Sequence, residues 1–131
     1  MGGFSDYWEN KILDHIFGKC SYAPPTIHVA LSTAEPADDA TGLAEPSGNA
    51  YARAQTAASD WSTASGGTLH NANDITFPTA TGSWGTITHF ALFDAATGGN
   101  MLAHGALDQP KAIGISDTAK FGAGDLDISL D

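Results

Sequence analysis

The apolar positions of this chain change period once, near Gly18. Before it, Phe4, Trp8, Ile12 and Ile16 recur at i, i+4 with Leu13 and Phe17 widening the stripe, and Glu9, Asn10, Lys11 and Asp14 take the opposite side. That spacing predicts an amphipathic helix over residues 5–17. Ser5 is the expected N-cap, Asp6 and Glu9 lie in the first turn where the helix dipole favours negative charge, and Gly18 supplies the stop. After Pro24 and Pro25 the period falls to two. Ile27, Val29 and Leu31 alternate with His28, Ala30 and Ser32, which predicts a strand over residues 26–33. Residues 51–56 read as a second strand, and 68–71 and 74–77 as two shorter ones, the latter ended by Pro78.

The stretch that organises the rest runs over residues 75–107. Two β-rich runs, 86–94 and 101–107, flank a Gly-rich connector and predict a hairpin. Ile87, His89, Ala91 and Phe93 share one face of the first run, with Thr88, Phe90 and Leu92 on the other. Neither face is purely polar, so this strand is expected to be central and covered on both sides. Trp84 is an expected anchor beside it, and short extended pieces follow at 111–113 and 118–121. At the end Leu126, Ile128 and Leu130 alternate with Asp125, Asp127 and Ser129, the pattern of a half-buried strand with an acidic outer face. The expected fold is mainly β: an antiparallel β-sandwich of Greek-key type with one N-terminal amphipathic helix. The expected organisation is a single domain over residues 1–131, helix in 1–18 and sandwich in 26–131.

Residues 34–49 carry Glu35, Asp38, Asp39 and Glu45 among Pro and Gly without apolar periodicity, which predicts a long exposed loop and a candidate binding surface. Charge narrows the partners. Fifteen Asp and Glu against five Lys and Arg leave a net of −10, so a basic face for a nucleic-acid backbone is not expected. No window has the length of a membrane-spanning helix and the N-terminus lacks a secretory pattern, so no membrane partner is expected and folding is assigned to the cytoplasm. Cys20, the one cysteine, excludes an intrachain disulfide and is expected to pack as a small apolar side chain.

Candidate chemistry is sparse. The acidic loop lacks the alternating oxygen-ligand spacing of a calcium loop, and Asp125 and Asp127 fit a solvated strand face. His28, His89 and His104 all fall in predicted strands. Centring the hairpin loop near Thr97 sets Phe90 opposite His104 and sends the imidazoles of His89 and His104 to opposite faces, which disfavours a shared metal. His15 and His70 read as surface residues. With no Ser-His-Asp order, Walker loop or dinucleotide fingerprint, the expectation is no cofactor, no metal and no enzymatic activity, with a glycan-active enzyme as the remote alternative. The candidate site is an interface: the stripe of Phe4, Trp8, Ile12 and Ile16, expected to cover the chain's own sheet in part and to dock on another subunit in part.

DYWENKILDHIFG at 6–18, VALSTAEP at 29–36, ITFPTATGSWGTITHFALFDA at 75–95 and GDLDISLD at 124–131 resemble a family of small tailed-bacteriophage virion proteins, whose members are described as head decoration or tail-fibre-like proteins. The likeness spans nearly the whole chain and departs at two turns, where Ala50 and Ser116 stand in place of Gly. The resemblance implies a virion structural protein made in the host cytoplasm. Its first implied role is a capsid decoration or cement protein on the outer capsid surface, with the major capsid protein or other virion proteins as partners and a trimer or other small symmetric homo-oligomer as the assembly. Its second is a tail fibre or baseplate component that binds a host receptor through loops such as 34–49.

Overall fold

The computed structural model describes residues 2–130. A short strand β1 (Gly2–Phe4) leads into helix α1 (Asp6–Ile16), and the chain then runs through β2 (His28–Ser32), β3 (Ala54–Gln55), β4 (Thr68–His70) and β5 (Ile75–Thr79). The long hairpin β6 (Gly85–Phe93) and β7 (Met101–Ile113) follows, then β8 (Thr118–Phe121) and β9 (Asp127–Ser129). The protein is mainly β with one N-terminal helix, as the pattern predicts.

Seven strands form one curled sheet in the order β3-β2-β6-β7-β1-β9-β4, and β5 pairs with β8 in a separate two-stranded ribbon. The large sheet is mixed, because β1 lies antiparallel to β7 but parallel to β9. One face carries Val29, Leu31, Phe90 and Leu92 into the main core, where they meet Ile75 and Phe77 of the ribbon with Leu126 and Ile128. On the other face Ala30, Ala91, Phe93 and Met101 form a smaller core against Leu43. Strand β6 is therefore covered on both sides, as expected of a run with no polar face.

Residues 34–49 are less exposed than their composition suggests. Pro36 is buried and residues 43–46 are half-buried, so the segment is a strap over the second face, exposed mainly at its apex. Ser32 ties it down: its hydroxyl donates to Ala34 O at 2.6 Å and accepts from Ala44 N–H at 3.0 Å.

Three further expectations are corrected. Pro78 does not end β5; the register with β8 shifts between Thr76 and Thr79, so the residue without an N–H falls in a bulge. The hairpin register is one residue off the expected one. Phe93 pairs with Met101, a shift follows, and from there Ala91, not Phe90, lies opposite His104. His89 and Ala91 share a face, so His89 and His104 lie on the same side of the sheet. Cys20 is exposed, having been carried past the end of α1 into a segment with no core contact.

Candidate functional site

Helix α1 is seated at its N-terminal end. Ser5 is buried; its N–H donates to Leu102 O at 2.7 Å, its hydroxyl donates to Met101 O at 2.5 Å, and the same hydroxyl accepts from Trp8 N–H at 3.3 Å. One side chain thus caps the helix and fastens it to β7. Asp6 N–H donates to the strap carbonyl of Asp38 at 3.0 Å. Phe4 stacks on Trp8 with ring centroids 4.3 Å apart, and both pack against the main core.

From that anchor the helix leaves the body of the protein. Between it and the sheet lies a groove of about 500 Å³, with Phe4, Trp8 and Ile12 on one wall, Pro24, Pro25 and Ile27 at one end, and Trp61, Leu69, Ile128 and Leu130 opposite. None of its lining side chains is ionisable. Three of the four residues expected at the interface therefore come together here. Ile16 does not join them and is 71 % exposed. Phe4 lies in β1 rather than on the helix, and within α1 each step of four residues advances roughly 40° around a helix of 3.6 residues per turn, so Ile16 lies roughly 80° from Trp8 and off the groove. Ile16 instead joins Leu13 and Phe17, 55 % and 73 % exposed, in an apolar knob at the helix end. Trp61, Leu69 and the Pro-Pro segment were not foreseen as groove walls; no period links them to the helix, and only the fold brings them there.

Elsewhere several of the groups with chemical potential are engaged in structure, although the buried His28 Nδ1 makes no hydrogen bond among the described residues. His104 Nε2 lies 2.8 Å from Asp38 Oδ1 and so pins the strap to β7. His89 Nδ1 lies 2.8 Å from the Thr88 hydroxyl, and His28 is buried opposite Phe93. No group of three metal-ligating side chains converges among the described residues. Arg53 donates to both carboxylate oxygens of Glu45, and Tyr51 OH donates to Glu45 Oε2 at 2.6 Å. Burial acts to raise the Glu45 carboxyl, but the bonds from Arg53 and Tyr51 and the charge of Arg53 outweigh it and hold it below its ordinary value. Burial first, then the bond to Glu45, pushes the Tyr51 phenol up. This cluster is closed on itself. A second hollow, about 470 Å³, lies between the outer half of β7 and β8, with Asp108, Lys111, Lys120 and Asp125 around an apolar floor.

What the chain offers is thus an apolar groove beside an exposed apolar helix end. No curated protein matches the sequence. The sequence model of one family, described as Podophage GP4 fiber I protein gp80, matches residues 3–129, and with nearly its whole length covered the chain belongs to that family.

Proposed function

We propose that this chain is a structural, non-enzymatic subunit of a podophage virion, part of a tail fibre, held to its neighbours through the face that α1 and the groove make together. The observation that carries the reading is an uncharged groove beside exposed Leu13, Ile16 and Phe17 on a chain with a net charge of −10, within a family described as a fibre protein. An acidic surface keeps such a subunit soluble before assembly, and the uncharged groove directs where it attaches. Helix and β-rich body work as one domain in this reading, with other virion proteins and further copies of the chain as its partners.

The family description favours the fibre over capsid decoration, to which the same docking face is equally suited. Copy number and position separate them. Quantitative mass spectrometry of purified particles, with antibody labelling seen by electron microscopy, should find this chain at the tail in few copies; label spread over the head in many copies would replace the fibre with decoration. If the fibre also touches a host receptor, the exposed apex of the strap, residues 37–42, is the surface available for it.

A further inference from the structure

We propose that the groove beside α1 receives the exposed end of α1 from a second copy of this chain, so that two copies pair about a two-fold axis; the partner is named within the fibre-subunit reading above. Knob and hole are neighbours along the helix. Ile12 lines the groove, and Leu13 beside it, with Ile16 and Phe17 one turn further along, is exposed to solvent. Because they are adjacent, one rotation seats the knob of each copy in the hole of the other, the condition for a self-complementary contact.

Area and charge point to the same occupant. Leu13, Ile16 and Phe17, with Leu130 at 61 % exposure on the groove wall, leave roughly 500 Å² of apolar side chain open per copy, the larger part of the ~800 Å² per partner of a stable interface. Two copies that each carry −10 repel one another over most of their surface. Residues 1–28 hold only −1 of that charge, Lys11 and Lys19 against Asp6, Glu9 and Asp14, and the groove contributes no ionisable side chain. Two acidic copies meet least repulsion here.

The test uses the full chain in sedimentation equilibrium and two variants. Phe17→Asp blunts the knob at a position already in solvent, and Ala64→Arg fills the hole from an exposed position on its wall. Circular dichroism and thermal melting confirm folding, with Ile16→Asp as a second knob variant if Phe17→Asp is unstable. The wild type should be a dimer that dissociates on dilution, and each variant should raise the dissociation constant at least about thirtyfold. An equal mixture of the two variants keeps one intact knob and one intact hole, and should form a heterodimer that neither forms alone. A wild type monomeric at every concentration, variants that pair as the wild type does, or a mixture that stays monomeric would each overturn the pairing. A monomer would leave the groove to another virion protein while the fibre assignment, read from particles, stands.

Discussion

Arg53 and Glu45 meet at two points, Nη2 to Oε1 at 2.7 Å and Nε to Oε2 at 3.0 Å, with the Arg53 side chain only 6 % exposed. The rest of the guanidinium is also engaged: Nη1 donates to Ala95 O and Gly98 O at 2.8 Å each, and its carbon lies 3.7 Å from the centroid of the Phe93 ring. One cation therefore joins the strap, the approach to β3 and the tip of the β6–β7 hairpin. A planar fork with five donors can do this where a lysine cannot.

Removing the carboxylate leaves that buried cation short of its partner, so Glu45→Gln should cost about 2 to 3 kcal/mol at neutral pH. The cost should depend on pH in one direction. The Glu45 carboxyl is held below its ordinary 4.5, so its contribution is fully present above 4.5 and is lost as pH falls through the lower folded value. Denaturant titrations of both proteins from pH 7 to pH 3 should show the gap constant at first and narrowing below 4.5. A gap that widened in acid would mean that Glu45 is not held as a carboxylate.

Ala50 and Ser116, the two positions where the family resemblance leads one to expect Gly, have φ of 66° and 70°. Both lie in the left-handed region, which costs an L-residue about 1 to 2 kcal/mol, and Asn49 before Ala50 is also there at 54°. Glycine relieves the strain but loses more freedom on folding, so Ala50→Gly and Ser116→Gly should each stabilise by a net of about 0.5 to 1 kcal/mol. The signature is a higher denaturant midpoint at unchanged slope.

How far the fold was legible follows the length of each pattern. The helix could be read to within a residue because its stripe, cap and stop agree, and β2 and β6 because their alternation is long. Strand β1 was not legible: Gly2-Gly3 carries no apolar signal, and the close approach to β7 and β9 at Gly2 leaves no room for a Cβ. Register was lost by one residue because the pairing shifts between Leu92 and Phe93, where no turn dipeptide marks it in the sequence. Residues 34–49 are a largely exposed loop as expected, but their anchoring was not legible because Pro36 and Leu43 are isolated apolar residues in a polar segment. Of the candidate site, the wall formed by Phe4, Trp8 and Ile12 was visible as periodicity, while the opposing wall of Trp61, Leu69 and Leu130 exists only once β4 and β9 pair.

Gly2 offers a direct check on that close approach. A Cβ there would lie 2.7 Å from Phe90 Cζ, 3.0 Å from His104 O and 3.2 Å from Ile128 Cδ1. The carbonyl cannot move without disturbing the β1–β7 pairing, so Gly2→Ala should destabilise by about 1 to 3 kcal/mol. Thermal melting measures it, and an unchanged midpoint would show that β1 is not held in the sheet as described.

Asn71 holds together the region from which the far wall of the groove rises. It is fully buried; its Oδ1 accepts from Leu126 N–H at 2.9 Å, and its Nδ2 donates to Asn73 O and Gly122 O at 2.9 Å each. Its main chain bonds Leu126 and Gly124 as well. Asn71→Ala leaves one buried donor and two carbonyls without these bonds, and should cost about 3 to 4 kcal/mol. Asn71→Asp separates the acceptor from the donor. It keeps an oxygen for Leu126 but sets a carboxylate against two carbonyl oxygens, so its own pKa must rise, and protonation supplies the missing donor. A raised folded pKa adds stability as pH falls through it, so the Asp variant should regain ground on the wild type between pH 7 and pH 5, while the Ala variant keeps a constant deficit. Denaturant titrations at the two pH values decide the matter. A loss below about 1 kcal/mol for Asn71→Ala would mean that water replaces the side chain, and that β9, with Ile128 in the groove wall, is held by its strand pairing alone.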